Sequence, residues 1–452
     1  MSLLKVVNGK NPRQIAAHVL QQRRADGGFI EDLLENALAG AQLSPPNRAL
    51  CQEIVYGAVR WQATLDWLIA RKTGGRSQKP ALQNLLRLAL YQIFWLDRIP
   101  GHAAVNETVE LAKRNGFGAQ AGFLNAVLRG YLREADATRK LLADLKTTDP
   151  AIGCSHPEWL VARRQKRWGV EKTASLLEWN NTPPNIFARV NGLKTDAGKL
   201  LEKWRGENVE YDFVRRDWLE ENLVFELKSH PPLNSLASFR DGWFYIQDPG
   251  TLLAACKLGA QPGETILDLC AAPGGKTAFL AQLMRNEGKI VACDISEERL
   301  KLLRENCRRL GVTCVETADS FPTLSAGVQA LACPPNTLKR ERQHFDSILV
   351  DAPCSNTGVM RRRVDLRWRI SAEEILRLRQ TQLDLLKLAA TKLKPGGVLV
   401  YSTCSLEPEE NGEVVNEFLR THAGFKLESE RELLPFADTV DGAYVARLKH
   451  ST

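Results

Sequence analysis

The sequence predicts a three-part chain: an all-helical domain over 1–137, a linker with a small α+β subdomain over 138–240, and an α/β domain over 241–452. In the first part, apolar residues recur at helical spacing of three to four positions. In the last part, strands alternate with helices, an order typical of a mostly parallel, doubly wound sheet. A length of 452 residues is compatible with about three domains of roughly 150 residues each.

The helical prediction rests on periodic segments separated by short breaks. These segments are Ile15–Leu20, Ala49–Val59, Leu65–Ile69, Leu82–Leu96, Ala103–Ala112 and Phe123–Tyr131. Breaks such as Gly27-Gly28 and Pro45-Pro46 are only a few residues long, which favours a compact bundle.

The two later parts are predicted from shorter segments. In the subdomain, helices are predicted at Trp159–Trp168 and Ala174–Asn180, and strands at Phe187–Val190, Val209–Phe213 and Leu223–Leu227. In the α/β domain, strands are predicted at Thr265–Leu269, Ile290–Cys293, Thr313–Glu316, Ser347–Val350 and Val398–Tyr401. Helices are predicted there at Ala278–Arg285, Glu297–Leu310, Glu373–Leu393 and Glu409–Thr421. Ligands of such sheets bind at the carboxyl ends of the strands, so the residues just after each strand are the site candidates.

The charge is concentrated at the N-terminal end. The chain has 61 Lys and Arg against 53 Asp and Glu, a net charge of +8, and residues 1–150 hold 20 basic and 13 acidic residues. This excess favours a polyanion-binding module, with an ordinary solvated helix surface as the alternative. We find no run of about 18 apolar residues and no secretory signal, so we expect a cytosolic, membrane-free protein.

Cysteine usage argues against a structural metal site. Ten cysteines occur, and none forms a C-x-x-C pair, so we expect reduced thiols and no bound metal. Most resemble small core hydrophobes, but Cys354 and Cys404 each follow a predicted strand at the ligand-binding edge. Two thiols at two strand ends favour covalent chemistry over simple packing.

The segment ILDLCAAPGGKT, Ile266–Thr277, is the most informative. A strand enters a glycine-rich turn that opens a helix, but Cys270 stands where a P-loop requires its first glycine. A dinucleotide fingerprint is also absent. S-adenosylmethionine is the third ligand that such a turn can bind, because Gly274 and Gly275 permit the ligand to approach the backbone closely. Asp294 and Asp319 then suit the ribose hydroxyls and the adenine, with helix N-caps as the alternative for each.

Together with LVDAPCS at Leu349–Ser355 and YSTCS at Tyr401–Ser405, this segment resembles the RNA cytosine-5 methyltransferases, which have a Rossmann-like core. RALCQEIVYGAVR at Arg48–Arg60 and HAAVNETVELAK at His102–Lys113 resemble the bacterial branch that acts on small-subunit ribosomal RNA and carries a NusB-like helical domain. The resemblance covers nearly the whole chain. Transfer RNA as substrate, a P-loop nucleotide hydrolase and a catalytically silent RNA-binding assembly factor are the alternatives.

Carbon 5 of cytosine is a poor nucleophile, and a thiolate added to C6 activates it. Spacing leaves open which cysteine attacks. The resemblance implies Cys404 as nucleophile and Cys354 in product resolution, with Asp351 and Lys276 also catalytic. It implies S-adenosyl-L-methionine as cofactor. The cofactor-binding residues would be Cys270, Ala271, Ala272, Pro273, Gly274, Gly275, Lys276, Asp294, Asp319 and Asp351.

The expected partner is small-subunit ribosomal RNA before its assembly, bound by a monomer without DNA. The segment MRRRVDLRWRI predicts RNA contacts by phosphate binding and base stacking, with a buried tryptophan in an amphipathic loop as the alternative. The candidate residues are Arg361, Arg362, Arg363, Arg367 and Trp368. This segment departs from the usual R-R-H-P-D of the family, and the stretch Ser325–His344 is longer than usual, which leaves the exact substrate position open.

Overall fold

The computed structural model describes residues 11–318 and 344–451. Its contacts divide the chain into two compact units: residues 1–182 with 360–369, and residues 183–359 with 370–452. The first unit therefore takes in 138–182, which the sequence analysis assigned to the linker and subdomain. This division differs from the predicted boundaries at 137 and 240.

The regular structure in the described residues of the first unit is helical. Its α-helices are Pro12–Asp26, Ile30–Ala39, Pro45–Arg60, Gln62–Thr73, Pro80–Trp95, Gly101–Arg114, Ala121–Arg133, Ala135–Thr148, Pro150–Gly153 and Glu158–Asn181. The first helix begins where Asn11 Oδ1 accepts the amides of Arg13 and Gln14 at 2.9 and 3.2 Å. It ends at Gly27, whose φ of 66° suits glycine. The predicted helical bundle is confirmed.

The apolar faces of these helices pack into one core. Leu85, Leu86, Leu90 and Leu128 are fully buried there. The segment 360–369 joins the same core through Val364, which is 1% exposed. Residues distant in sequence therefore complete the helical unit.

The second unit begins with a small antiparallel sheet of order β2-β3-β1-β4. Its strands are β1 (Ile186–Val190), β2 (Glu210–Phe213), β3 (Val224–Ser229) and β4 (Phe244–Ile246). The helix Ala197–Gly206 packs on it with Trp204, and the short helix Ala237–Arg240 follows β3. The three predicted strands are present within a few residues, and β4 was not predicted.

The larger sheet contains, among the described residues, strands in the order β10-β11-β9-β8-β5-β6-β7. They are β5 (Thr265–Leu269), β6 (Lys289–Cys293), β7 (Val315–Ala318), β8 (Phe345–Asp351), β9 (Leu393–Thr403), β10 (Phe425–Leu433) and β11 (Ala443–His450). Strands β5 to β9 pair in parallel, whereas β10 and β11 pair antiparallel at one edge. This is the predicted Rossmann-like, mostly parallel sheet.

The helix Pro249–Leu258 precedes β5, and further helices of this sheet are Gly275–Leu283, Glu297–Leu310, Ala372–Ala390, Gly412–Thr421 and Pro435–Asp438. The strands β5 and β8 are buried nearly throughout, as is β9 from residue 397 on, because helices cover both faces of the sheet. The antiparallel pair β10–β11 was not predicted from the sequence. Within the described ranges, we find no helix with the length and apolarity needed to cross a membrane.

Candidate active site

The carboxyl ends of four parallel strands lie side by side, and predicted site residues lie at or directly after each of these ends. The glycine-rich loop follows β5, Asp294 follows β6, Asp351 closes β8, and Cys404 follows β9. Strand β5 lies between β6 and β8, which is the point where the strand order reverses and where ligands of such sheets bind.

The glycine-rich loop is held by packing as well as by backbone bonds. The amide of Ala271 donates to the carbonyl of Cys293 at 2.8 Å. Gly274 has a φ of 97°, and a Cβ there would lie 2.8 Å from Leu303 Cγ. A Cβ on Gly275 would lie 3.0 Å from the Tyr245 ring. Gly274 is therefore required by the protein interior, in addition to any approach of a ligand, whereas a side chain at Gly275 would need the Tyr245 ring to shift by a few tenths of an ångström.

The Asp294 carboxylate connects the end of β6 to this loop. Its oxygens accept the amides of Ala272 at 3.2 Å and Ser296 at 3.1 Å, and Arg299 lies 3.5 Å away. The helix that follows is capped by the Ser296 side chain. Asp294 is therefore not the N-cap of that helix, and its remaining acceptor positions are available to ribose hydroxyls.

Asp268, in the interior of β5, is a candidate site residue that was not predicted from the sequence. One oxygen accepts the Thr277 hydroxyl at 2.7 Å, but Oδ1 is buried without a partner among the described residues. Burial raises the pKa of this carboxyl to about 7. An unpaired buried carboxylate oxygen beneath the glycine-rich loop fits the amino group of S-adenosylmethionine. The sequence does contain one indication of this role, because Asp268 is a charged residue within an otherwise apolar strand.

Lys276 and Asp351 form an ion pair between two strand ends. The Nζ–Oδ2 distance is 2.6 Å, and Ser402 donates its hydroxyl to Asp351 Oδ1 at 2.8 Å. Burial alone would lower the pKa of Lys276, but the Asp351 charge outweighs it and raises that pKa. The pair therefore offers a fixed ammonium donor beside a fixed carboxylate. Ser402 was not predicted as a site residue.

The two cysteines meet although 50 positions separate them. Cys354 Sγ lies 3.4 Å from Cys404 Sγ, and the Cys404 thiol donates to Asn356 Oδ1 at 2.9 Å. Cys354 is buried, whereas Cys404 is partly exposed. The hydrogen bond to Cys404, together with burial, raises the pKa of Cys354 well above its usual value. The buried partner therefore stays a thiol that can donate to a Cys404 thiolate.

The predicted RNA-contacting arginines need a correction. Arg361 is buried under the Trp179 ring, 4.0 Å from its centroid. Arg367, fully buried, donates to Asn181 Oδ1 at 2.8 Å and to the Asn180 carbonyl at 2.9 Å. Trp368 Nε1 donates to the Val59 carbonyl at 2.7 Å. Arg367 and Trp368 donate to backbone carbonyls, and Arg361 stacks on Trp179, so all three side chains are engaged inside the helical unit, which argues against a role as surface RNA contacts.

The remaining predicted residues are placed as follows. Arg362 is half-buried and Arg363 is exposed, both in the helical unit. Asp319 lies outside the described residues. Among the residues that are described, His, Cys, Asp and Glu form no cluster able to hold a metal ion.

Family models match three parts of the chain. The model for the 16S rRNA methyltransferase RsmB/F matches residues 255–449, and the NusB family model matches residues 10–133. The ferredoxin-like domain of RsmF/B-like methyltransferases matches residues 156–226. The three matches follow the helical, mixed and parallel-sheet parts in order.

Curated relatives match almost end to end. A probable ribosomal RNA small subunit methyltransferase B of Bacillus subtilis is 35% identical over 92% of this chain and 89% of its own. The ribosomal RNA small subunit methyltransferase B of Shigella sonnei is 34% identical over 97% of this chain and 98% of its own.

Solved structures show the same fold. A methyltransferase homologue from Pyrococcus horikoshii is 30% identical, covers 67% of this chain and 98% of its own, and superposes with a TM-score of 0.56. NSun6 from Pyrococcus horikoshii, solved with SFG, is 22% identical, covers 66% of this chain and 98% of its own, and superposes with a TM-score of 0.56.

Proposed function

The chain belongs to the RsmB/F family of ribosomal small-subunit RNA methyltransferases, and we propose that it methylates C5 of a cytosine in 16S ribosomal RNA through a covalent cysteine adduct. The meeting of two thiols from two strand ends, 3.4 Å apart, carries the covalent part of this proposal. Membership of this family favours methyl transfer over nucleotide hydrolysis.

S-adenosylmethionine is the cofactor of this family, and it supplies the methyl group that C5 receives. Asp294 would hold the ribose hydroxyls, because its carboxylate is already fixed against the glycine-rich loop. Asp268 would hold the amino group through its unpaired buried oxygen. Asp319 remains a proposed adenine contact.

Cys404 is the proposed nucleophile. Its sulfur is less buried than that of Cys354, and addition requires an accessible thiolate. The Cys404 thiolate adds to C6, and the bond pair displaced from C5–C6 makes C5 nucleophilic. Cys354, whose thiol can donate to Cys404 before attack, is the proposed acid–base group of product resolution. After methyl transfer, Cys354, once deprotonated, accepts the C5 proton, the electron pair of the broken C5–H bond re-forms the C5–C6 double bond, and the Cys404–C6 bond breaks to restore the Cys404 thiolate.

Lys276 and Asp351 complete the proposed chemistry. The Lys276 ammonium stabilises negative charge that develops on the pyrimidine during attack. Asp351, held by Lys276 and Ser402, accepts a hydrogen bond from the cytosine amino group or from the cofactor. Both groups are fixed before substrate binds, so little reorganisation is needed at the moment of reaction.

The proposed substrate is 16S ribosomal RNA that is not yet assembled into the subunit, bound by a monomeric enzyme. A cytosine inside a duplex would have to be extruded, which favours single-stranded or loop targets. The basic excess of the helical domain supports a role in binding the phosphate backbone, with Arg363 and Arg362 as remaining candidates from the predicted set.

Incubation of the purified chain with S-adenosylmethionine and a 16S transcript tests this function. Bisulfite sequencing is expected to show one protected cytosine that depends on the cofactor. A transfer RNA pool serves as the matched alternative substrate. Methylation confined to transfer RNA, or at an exocyclic amine, would contradict the proposal.

A further inference from the structure

Glu410 is a fully buried carboxylate beside the cysteine pair that the proposed chemistry does not use. It closes the 3-10 turn Pro408–Glu410, between strand β9 and the helix Gly412–Thr421. An ionised carboxylate is expensive to bury unless hydrogen bonds satisfy it. Its partners therefore indicate what it does.

Those partners are the residues that follow the two cysteines. The Ser355 amide donates to Glu410 Oε1 at 2.8 Å, and the Ser355 hydroxyl donates to Oε2. The Ser405 hydroxyl donates to the same Oε2 at 2.5 Å. The Ser355 and Ser405 hydroxyl oxygens are themselves 3.0 Å apart. A single carboxylate therefore joins the loop after β8 to the loop after β9.

Gln382 adds a link on the other side of Cys354. From the helix Ala372–Ala390, its Nε2 donates to Glu410 Oε1 and to the Pro353 carbonyl, both at 3.0 Å. Cys354 is therefore flanked on both sides by residues tied to Glu410. Within the described part of the chain, the donors to this carboxylate are neutral, so hydrogen bonds and not ion pairs hold it between the two loops.

We propose that Glu410 is the positioning residue of the cysteine pair: it fixes the two loops so that the Cys354 and Cys404 sulfurs lie side by side. This inference rests on the proposed function, in which both thiols act on one cytosine. Misplacement of a reacting group by about 1 Å can slow a reaction by about 100-fold, so a residue without substrate contact can govern the rate.

Replacement variants separate positioning from folding. Glu410→Ala removes every link, and we expect its kcat to fall by about 100-fold while its KM for S-adenosylmethionine stays close to that of the wild type. Glu410→Gln preserves shape and one acceptor oxygen, so we expect a partial rescue, with a kcat loss of about tenfold. Glu413→Gln, exposed three residues later, removes the same charge and is expected to behave as wild type.

The distance between the sulfurs gives a readout that does not require catalysis. Diamide takes two electrons and two protons from the two thiols as their S–S bond forms, and peptide mass spectrometry quantifies the Cys354–Cys404 product. We expect this reaction to be at least about tenfold slower in Glu410→Ala, in keeping with the sensitivity of bond formation to placement. In Glu410→Gln it should fall between wild type and Glu410→Ala.

The outcomes are distinguishable. Wild-type rates of both cross-linking and methylation in Glu410→Gln and in folded Glu410→Ala would overturn the positioning role. If Glu410→Ala does not fold, a wild-type cross-linking rate in Glu410→Gln would overturn it. If the wild type itself does not methylate RNA, the proposed function fails, and slowed cross-linking in the variants still supports the positioning role.

Discussion

The Arg23 guanidinium donates a hydrogen bond of 2.5 Å to the Asp365 carboxylate, although 342 positions of sequence separate the two residues. Asp365 also accepts the Ile30 amide at 3.2 Å and Arg369 Nε at 2.8 Å. Its side chain is 1% exposed. A short segment from late in the chain is thereby an integral part of the helical unit.

Asp365→Ala is expected to destabilise the full chain by about 3 kcal/mol, because it removes the buried carboxylate that pairs with Arg23 and Arg369 and accepts the Ile30 amide. Urea unfolding followed by circular dichroism measures this loss. Asp136→Ala, which removes an exposed ion pair in the same unit, is the control and should change little. Equal stabilities for the two variants would contradict the integral role of the segment.

The two cysteine variants should fail in different ways. Cys404→Ala removes the attacking thiolate, so we expect neither methylation nor an adduct. Cys354→Ala leaves attack and methyl transfer but impairs loss of the C5 proton, so the enzyme-linked RNA should accumulate. A denaturing gel with RNA and S-adenosylmethionine should show a slow band for Cys354→Ala alone, and none for the double variant. If the slow band appears in Cys404→Ala and not in Cys354→Ala, Cys354 is the nucleophile and Cys404 acts in product resolution.

Asp294→Ala should weaken S-adenosylmethionine binding by about 1.5–3 kcal/mol, the range for losing a hydrogen-bond partner that is charged. Isothermal titration measures this. Because Asp294 also accepts the Ala272 and Ser296 amides, we expect a lower thermal midpoint without cofactor. Asp294→Asn keeps one acceptor and should bind with intermediate affinity. If both variants bind S-adenosylmethionine with unchanged affinity, Asp294 stabilises the glycine-rich loop but does not contact the cofactor.

Asp268 predicts a pH dependence of the unliganded chain. Burial raises its folded pKa to about 7, so between about pH 4 and 7 the folded state holds a proton that the unfolded state has lost. The free energy of unfolding contributed by this group therefore falls as pH rises through that window. Asp268→Asn should abolish this component and raise stability at pH 8. Asp268→Asn should also weaken S-adenosylmethionine binding, which isothermal titration at pH 8 detects. If the free energy of unfolding of the wild type and of Asp268→Asn varies with pH in the same way, the raised pKa of Asp268 is contradicted.

The parallel core and its ligand edge were predictable from local signals. Strand β5 and the turn after it are specified by a short apolar run followed by Gly274 and Gly275, and the order of strands follows from their alternation with helices. The edge strand β10 was missed because its exposed charged residues obscure the apolar alternation.

The sequence by itself determined which residues stand at strand ends, and hence that Lys276, Asp294, Asp351, Cys354 and Cys404 share one edge. Only the tertiary structure decided which side chains meet: that Glu410 joins the two cysteine loops, and that Arg367 points into a helical interior instead of toward RNA. The reason is physical. Strand ends are set by local periodicity, whereas the partner of a buried polar group depends on segments far away in the chain, and no local pattern records their approach.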